Sequence, residues 1–440
     1  MTRILLACHQ FFPRFYTGTE TLTLEVADEL TRQGYEVAIL TTEPILPNDP
    51  VPDSPQIRKE IYAGYTVWKL IIPDPGNPVE RLDRESYDIH LINLFEKTLD
   101  EWNPDIVHVF HLMRLTKSFV NCIKKRGIPC YFTVTDFWLC CPTYQLIKND
   151  NSLCCGPKPH TCFSCLLDLY VQGMIRVPIH VKIARAYPRL AGFLHPKARD
   201  CQNTLVQRIK RHQSLLEEFD AVFWSNNFTR DVFRENGLMS NNEYIIPFPI
   251  PERAKKVFDL EPVSSEGSLK VVFIGTLRHT KGPQILLNAC RIIGNKQSIE
   301  VFIWGATDDS NFQKELNRIA EGIDWVYFRG TFPQEMLPDV LKESHVVIIP
   351  SIWYENTPLT ALSALAARRV LIVSDLGGLS GMVKDGVTGF TFPPGNAKAL
   401  AQILVNLAQN RDLVCKISSV VERPNRIVDY VDQIVQVYTG

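Results

Sequence analysis

The stretch HVVIIPSIWYENTPLTALSALAARRVLIVSDLGG, residues 345–378, places a helix of small residues between two runs that are almost wholly apolar. Such runs are typical of parallel strands whose two faces are both covered by helices. The same alternation extends through the chain. The other runs are RILLAC, EVAILT, TVWKLI, DIVHVF, CYFTVT and AVFWSN in the first half, and LKVVFIG, EVFIWG and WVYFRG in the second. We therefore predict an α/β protein with two Rossmann-like, doubly wound domains.

The length of the chain and one proline-rich segment predict where the two domains divide. With 440 residues, the chain exceeds the usual size of a single hydrophobic core. The segment YIIPFPIPERAKKVFDLEPVSSEGS, residues 244–268, separates the two series of strands. We therefore predict a first domain over residues 1–250 and a second over residues 265–423. Residues 424–440 have apolar side chains at helical spacing, and a helix there could pack back on the first domain.

The composition describes an ordinary globular protein without a general attraction to nucleic acid. Hydrophobic residues make up 45% of the chain and charged residues 22%, and the formal net charge is -1. No apolar run approaches the roughly 18 residues of a membrane span, and the opening MTRILLACHQFFP is typical of a strand rather than a secretory signal. We expect a cytoplasmic protein, with peripheral contact on the inner face of the membrane left open. The twelve cysteines then favour thiols or metal ligands over disulfides.

Three points where a predicted strand meets a helix could bind an anion, because helix N-termini there offer free N–H groups. In FYTGTETLTLEV, Gly18 and Thr19 open a helix, although this glycine could equally make only a turn. In FIGTLRHTKGPQILLNA, Arg278 and Lys281 stand between a strand and a helix. Two cations at a helix start could clamp a diphosphate, and the alternative is a solvated basic turn.

The third point is the loop of the quoted stretch, where Glu355 and Asn356 precede the helix of small residues. Thr357 is predicted as the N-cap and Pro358 as the first helical residue, so that free N–H groups up to Leu359 point back toward the carboxylate. A phosphate at this helix start and sugar hydroxyls near the carboxylate would form a donor pocket. Taken alone, a loop carboxylate of this kind is more often only solvated.

Together, these motifs resemble those of the retaining glycosyltransferases of family 4, which have the GT-B fold. TGTE resembles a Gly-Gly-x-Glu loop, GTLRHTKG a Gly-x-Leu-x3-Lys-Gly stretch, and the long element that begins PSIWYENTPL a Glu-x7-Glu element. The resemblance covers essentially the whole chain. It implies two Rossmann-like domains facing a cleft, a nucleotide-sugar donor held mainly by the second domain, and a saccharide or lipid-linked acceptor held by the first. It also implies transfer with retention and without a metal cofactor.

The resemblance further implies a role for each motif residue. Lys281 with Arg278 neutralises the leaving diphosphate, Glu355 contacts the donor sugar, and backbone amides from Asn356 to Leu359 complete the pocket. Electrostatic stabilisation of the leaving group would be the main catalytic effect. The implied activity is transfer of a hexose-type sugar in the synthesis of cell-surface polysaccharide or lipopolysaccharide.

The chain departs from the family pattern at several positions. The second glutamate, which normally holds the ribose hydroxyls, is Ser363, and an arginine usual just after the strand glycine Gly275 is Thr276. Replacing that carboxylate by a hydroxyl could weaken donor binding by about ten- to a hundredfold. Further departures are Thr135, Arg368, Val370 and Gly381, where the family has His, Gly, Pro and Glu. The alternative is therefore a catalytically inactive protein of the same fold that acts in binding or as a scaffold.

Residues 140–165 form a cysteine-rich insertion with two interpretations. Cys162 and Cys165 have the spacing of a zinc knuckle, and Cys141 with Cys154 could complete a tetrahedral thiolate site for a structural zinc. The alternative is a set of unliganded thiols, because the first two spacings are not those of a standard zinc finger.

A basic segment follows the cysteines. Between Gln172 and His212, Lys and Arg are frequent, and Asp200 is the one acidic residue. Apolar residues alternate with the basic ones, a pattern typical of docking on an anionic membrane surface. A long solvated helix pair is the alternative interpretation.

Overall fold

The computed structural model describes residues 1–148, 150–171, 178–294 and 298–440, which form two compact units. Unit 1 consists of Met1–Ser225, Thr229–Ile246 and Val431–Gly440. Unit 2 consists of Asn226–Phe228 and Pro247–Tyr430.

Unit 1 is built on an eight-stranded sheet in the order β3-β4-β2-β1-β5-β6-β7-β8. All neighbours are parallel except β3 and β4, which pair antiparallel across a tight turn with positive φ at Ala63 and Gly64. The apolar runs form the central strands, which are buried on both faces. The strands are β1 Arg3–Cys8, β2 Glu36–Thr42, β3 Gln56–Tyr62, β4 Tyr65–Ile71, β5 Ile106–Val109, β6 Cys130–Val134, β7 Ala221–Trp224 and β8 Glu243–Ile245.

Unit 2 contains a six-stranded sheet in the order β11-β10-β9-β12-β13-β14, with all neighbours parallel. The central strands consist of side chains such as Val271, Val347 and Leu371, which are all fully buried. The strands are β9 Leu269–Ile274, β10 Ile299–Trp304, β11 Val326–Gly330, β12 Val346–Ile349, β13 Val370–Ser374 and β14 Gly389–Phe392. The predicted fold class, two doubly wound α/β domains with parallel sheets, is confirmed.

Helices connect most of the parallel strands in both units, as is usual for parallel pairing. They are α1 Gly18–Arg32, α2 Pro78–Ser86, α3 Ile92–Trp102, α4 Thr116–Lys125, α5 Pro159–Val171, α6 Ile179–Ala186, α7 Pro188–Leu194, α8 Pro196–Gln213, α9 Asn227–Glu235, α10 Pro283–Ile293, α11 Ser310–Ala320, α12 Leu337–Lys342, α13 Leu359–Ala366, α14 Ala397–Gln409, α15 Arg411–Val420 and α16 Ile427–Thr439. In the part of the chain that the structure describes, no helix is long and apolar enough to cross a membrane.

The end of the last helix belongs to unit 1. In α16, the hydroxyl of Tyr438 lies 2.5 Å from Nδ1 of His108, whose other ring nitrogen lies 2.8 Å from Oγ1 of Thr133. His108 is fully buried. It is therefore a core histidine whose two ring nitrogens both have partners.

Candidate functional site

The site lies in unit 2, where the order of strands along the sheet reverses. From β9 the chain moves outward to β10 and β11, then returns to place β12 on the other side of β9. In open parallel sheets, ligands bind beyond the carboxyl ends of the strands at such a reversal. A ligand is therefore expected beside the loops that follow β9 and β12.

These two loops pack directly against each other. The amide of Ile352 donates to the carbonyl of Thr280 at 2.9 Å. Gly282 has φ +77, and a Cβ built on it would lie 1.9 Å from the carbonyl oxygen of Pro350. Only glycine fits here, because a side chain would meet both a left-handed backbone and a backbone oxygen. The contact fixes Lys281, the residue before this glycine, beside the second loop.

Glu355 is held by three donors that converge on one of its oxygens. Lys281 Nζ lies 2.7 Å from Glu355 Oε1, and Ser351 Oγ and Trp353 Nε1 each donate to the same oxygen at 2.8 Å. The Lys281 ammonium also lies over the Trp353 ring, 5.1 Å from its centroid. Glu355 is 7% exposed, so this carboxylate is not the solvated loop acid of the alternative interpretation. The structure brings the predicted cation and carboxylate together.

The backbone after Glu355 is fixed from two sides. The amide of Gly378 donates to the carbonyl of Glu355 at 3.0 Å, and a Cβ at Gly378 would lie 1.9 Å from the carbonyl oxygen of Asn356. From the other side, Asn226 Nδ2 donates to that same Asn356 oxygen at 2.9 Å and reaches Thr357 Oγ1 at 3.3 Å. The predicted amide segment is thus held rigidly at the start of α13.

The predicted start of this helix is wrong by one residue. Pro358, not Thr357, is the N-cap of α13, with φ -68 and ψ 130, and Leu359 is the first helical residue. The fixed φ of proline is compatible with both positions, whereas its extended ψ places it outside the helix. Thr357 Oγ1 interacts with Asn226 instead of capping the helix. The first-turn amides therefore begin at Leu359.

A cavity of about 360 Å³ lies beside these loops. Four predicted residues line it, namely Gly275, Thr276, Leu359 and Ser363. Ser363 lines this cavity and is only 3% exposed to solvent. The position of the family's second glutamate therefore faces the cavity from a buried place on α13. Other lining residues that the sequence did not single out are Ile274, Trp304, Gly305, Thr331, Phe332 and Gln334. Several of them stand at the carboxyl ends of β9, β10 and β11, a signal that could have identified them.

The remaining predicted residues have more open surroundings. Arg278 is exposed and, over the described residues, has no ion pair. Gly18 and Thr19 lie in unit 1, at the start of α1. A Cβ on Gly18 would meet no protein atom within 4 Å, so packing within the protein does not require glycine at this position.

The structure does not support zinc bound by Cys141, Cys154, Cys162 and Cys165. Among residues 1–148, 150–171, 178–294 and 298–440, no three His, Cys, Asp or Glu side chains are grouped to hold a metal ion. The thiols have other partners: Cys141 Sγ lies 3.2 Å from Thr143 Oγ1, and Cys154 Sγ donates to the carbonyl of Gly156 at 3.2 Å. Cys162 packs in an apolar cluster with Leu82, Phe163, Ala198 and Leu205, and burial raises its pKa to about 12. The thiol interpretation of the insertion is favoured.

Comparison with known proteins adds the family. Residues 16–151 match the model described as Glycosyltransferase Family 4, and residues 268–410 match the model described as Glycosyl transferases group 1. An uncharacterised glycosyltransferase of Methanocaldococcus jannaschii is 30% identical over 131 residues, which is 30% of this chain and 33% of that protein. The amylovoran biosynthesis glycosyltransferase AmsK of Erwinia amylovora is 29% identical over 149 residues, 32% of this chain and 36% of that protein. These matches span about a third of each relative's length.

A solved structure agrees in fold over the whole chain. Anabaena HepE in complex with UDP and glucose has a TM-score of 0.62 and 14% sequence identity, and the match covers 100% of both chains. At this identity the likeness shows the fold alone. Since both family models match in order, one in each half of a two-sheet chain, the protein belongs to the family 4 glycosyltransferases of the GT-B fold, with Ser363 in place of the second glutamate of their Glu-x7-Glu element.

Proposed function

We propose that the protein transfers a hexose-type sugar, with retention, from a nucleoside diphosphate to a saccharide or lipid-linked acceptor. The observation that carries the proposal is the Lys281–Glu355 pair, which joins a buried carboxylate to a partly buried ammonium group. The loop that carries Lys281 also lines the cavity at the reversal of the sheet, through Gly275 and Thr276. A cation can bind a diphosphate, and a carboxylate that is fixed in place can accept hydrogen bonds from sugar hydroxyls. Both groups stand within one rigid arrangement.

The charges suggest how the site would work. Lys281, with the exposed Arg278, would bind the diphosphate and stabilise the negative charge that develops on it as the sugar leaves. Glu355 uses Oε1 for its three donors, which leaves Oε2 for a sugar hydroxyl. The first-turn amides of α13 from Leu359 would add N–H donors to the phosphates. Transfer of this kind requires no metal or other cofactor.

The cavity suits the nucleoside part of the donor. A volume of about 360 Å³ falls within the range of small-molecule sites, roughly 300 to 1,000 Å³. Its lining combines the aromatic side chains of Trp304 and Phe332 with polar groups of Thr331, Gln334 and Ser363. Aromatic rings can contact a base, and polar groups can bind ribose hydroxyls.

The relatives suggest the biological setting. One similar protein is named for amylovoran biosynthesis, and a protein of the same fold, at a TM-score of 0.60, is a lipopolysaccharide outer core galactosyltransferase. We therefore propose a role in cell-surface polysaccharide or lipopolysaccharide synthesis in the cytoplasm. Peripheral contact with the inner face of a membrane is part of this proposal.

Calorimetric titration with UDP, GDP, ADP and CDP tests the proposal. We expect the native protein to bind one of them, and Lys281→Ala to bind it about ten- to a hundredfold more weakly, because a charge-assisted contact is lost. The matched control is Lys384→Ala, whose ammonium pairs with Glu422 on the exposed surface of the same unit. This control should bind like the native protein. Absence of binding by the native protein to any of the four nucleotides would contradict the proposal.

The second candidate function is a binding or scaffold protein without transferase activity. Ser363 favours it, because a hydroxyl faces the cavity where the family has a carboxylate. Failure of the folded protein to bind any nucleoside diphosphate would support this second function.

A further inference from the structure

One short part of unit 1 exposes an unusual concentration of large apolar side chains. It lies within the basic segment predicted between Gln172 and His212, of which residues 172–177 are outside the described residues. Helices α6 and α7 lie within the described part. Six large apolar side chains are exposed in these two helices and at Tyr187, the residue between them. Their exposed fractions are Ile179 77%, Ile183 52%, Tyr187 64%, Leu190 48%, Phe193 75% and Leu194 67%. We call the surface formed by residues 179–197 the α6–α7 face.

The spacing of these side chains makes one continuous apolar stripe along each helix. In α6, Ile179 and Ile183 are one turn apart, and Tyr187 follows one turn later. In α7, Leu190, Phe193 and Leu194 have the spacing of one helical face. The helices therefore have an apolar side directed away from the protein rather than toward its core.

The inner side of α7 is packed firmly against α8. Gly192 is buried, and a Cβ there would lie 2.3 Å from Oε1 of Gln202. Gln202 Nε2 donates to the carbonyl of Pro188 at 2.7 Å, and Arg199 donates to the carbonyls of Gly192 at 3.1 Å and Phe193 at 2.7 Å. These contacts hold both ends of α7, so the outward direction of its apolar stripe is a built feature of the fold.

Cations without counter-ions surround the stripes. Lys182, Arg189 and Lys197 are exposed, and within the described residues none of them forms an ion pair. Residues 178–199 contain no Asp or Glu, and the first acid is Asp200. Basic side chains beside exposed aromatic and aliphatic ones complement an interface that is apolar inside and negatively charged at its surface.

We propose that the α6–α7 face docks on an anionic lipid membrane. Phe193, Leu194 and Ile183 would insert into the boundary between headgroups and acyl chains, while Lys182 and Arg189 bind lipid phosphates. Pairing with a second copy of the chain is disfavoured, because a two-fold interface would bring this basic surface against itself, and residues 178–199 contain no acid to compensate the charges. This proposal deepens the peripheral membrane contact of the proposed function by naming its surface and its lipid, and it holds whichever donor or acceptor the enzyme uses.

Vesicle flotation with the full-length native protein tests this proposal. We expect it to float with vesicles of phosphatidylcholine and phosphatidylglycerol, to bind far less to phosphatidylcholine alone, and to dissociate as salt is raised. The charge variant Lys182→Gln/Arg189→Gln/Lys197→Gln should bind the anionic vesicles about a hundredfold more weakly, at about fivefold for each charge removed. The apolar variant Phe193→Ser/Leu194→Ser should also lose binding.

The matched control is Met239→Ser, which removes a side chain that is 50% exposed elsewhere in unit 1. It should bind anionic vesicles like the native protein, and circular dichroism checks that every variant is folded. The proposal is overturned if the native protein ignores anionic vesicles or binds neutral ones equally well. It is also overturned if the charge variant floats unchanged, or if the native protein is a dimer that Phe193→Ser/Leu194→Ser converts to a monomer.

Discussion

The ammonium group of Lys281 lies 2.7 Å from Oε1 of Glu355, across two loops that follow neighbouring strands of the same sheet. Each residue compensates the charge of the other in a largely buried place, where an unpaired charge is costly. A diphosphate that binds Lys281 must therefore share this cation with a carboxylate that is held in place by Ser351 and Trp353. The contribution of Lys281 to nucleotide binding and that of Glu355 to sugar transfer should consequently be measurable separately.

The variant Glu355→Gln should separate nucleotide binding from sugar transfer. Its amide oxygen can still accept from all three donors, so the loop should keep its geometry. Nucleoside diphosphate should bind as well as to the native protein, or slightly better, because Lys281 is no longer neutralised. Transfer should fall by about 10²-fold or more, the cost of losing one positioned charged contact in a transition state. Calorimetry and a transfer assay measure the two effects. Equal loss of binding in Glu355→Gln and Lys281→Ala would contradict this separation.

A side chain at position 378 should destabilise the protein, because two backbone oxygens lie beside Gly378. A Cβ would lie 1.9 Å from the carbonyl oxygen of Asn356 and 2.8 Å from that of Glu355. Gly378→Ala should therefore destabilise unit 2 by about 1–3 kcal/mol, the usual cost of overpacking, and weaken nucleotide binding by displacing this loop. Gly381→Ala is the control, because a Cβ there meets no atom within 4 Å. Urea unfolding of both variants gives the comparison, and similar stabilities for the two would refute the assignment.

Ser363→Glu should strengthen nucleotide binding. Ser363 lines a cavity of about 360 Å³, and a glutamate there could accept hydrogen bonds from ribose hydroxyls, each worth roughly 1.5–3 kcal/mol when one partner is charged. The expected gain in affinity for the bound nucleotide is about tenfold or more. Calorimetry with the matching 2′,3′-dideoxynucleotide is the control, since it lacks both hydroxyls and should show no gain. If the ordinary nucleotide shows none either, the ribose does not lie beside α13.

Arg368 occupies a backbone conformation that favours glycine. Its φ is 55, and it follows α13 at the position where the amides of Arg368 and Arg369 donate back to the carbonyls of Leu365 and Ala364. This arrangement is the Schellman motif, which usually has glycine at this position. Arg368→Gly should therefore raise the free energy of unfolding by about 1 kcal/mol. Ala367→Gly, one residue earlier at φ -78, should lower it instead. The hypothesis fails if the first variant is no more stable than the native protein.

The sequence predicted the sheets well because their central strands are apolar on both faces. It missed three edge strands, β3, β8 and β14. The residues of β3, QIRKEIY, alternate in character and leave Ile61 68% exposed at the edge of the sheet. A strand of this kind has the polar alternation of a one-sided sheet and not the continuous run of a buried parallel strand. The antiparallel pairing of β3 with β4 follows from the short turn at Ala63 and Gly64. In the sequence, this turn indicates a hairpin only if the strand before it has been recognised.

The candidate site was predictable only where its residues belong to a recognisable local motif. Lys281 and Glu355 stand in local motifs, and the structure brings them together as expected. The amide of Asn226, which holds the Asn356 carbonyl, comes from a residue 130 positions away. The aromatic lining of the cavity, Trp304 and Phe332, likewise comes from separate strand ends. Such contacts depend on topology, which no local spacing reveals.

Histidines whose pKa is lowered in the folded protein, among them the buried His108 and the partly buried His345, predict that the protein loses stability in mild acid. Desolvation lowers the pKa of His108 to about 3 and that of His345 to about 4. In the unfolded chain both groups have the ordinary value near 6.5, so between about pH 6.5 and about pH 4 the unfolded state binds more protons than the folded state. Stability is therefore fully present above pH 6.5 and falls as the pH falls. Each histidine contributes a slope of up to about 1.4 kcal/mol per pH unit.

His108→Gln isolates the contribution of the buried site in unit 1. Glutamine can retain a hydrogen bond to Tyr438 or Thr133, the two partners of His108, but it does not titrate. The variant should be less stable than the native protein at pH 7.5, and the difference should shrink as the pH is lowered to 5, because only the native protein must exclude a proton from this position. Urea unfolding at closely spaced pH values measures both curves. Parallel curves over this range would mean that His108 is not the group that loses its proton on folding.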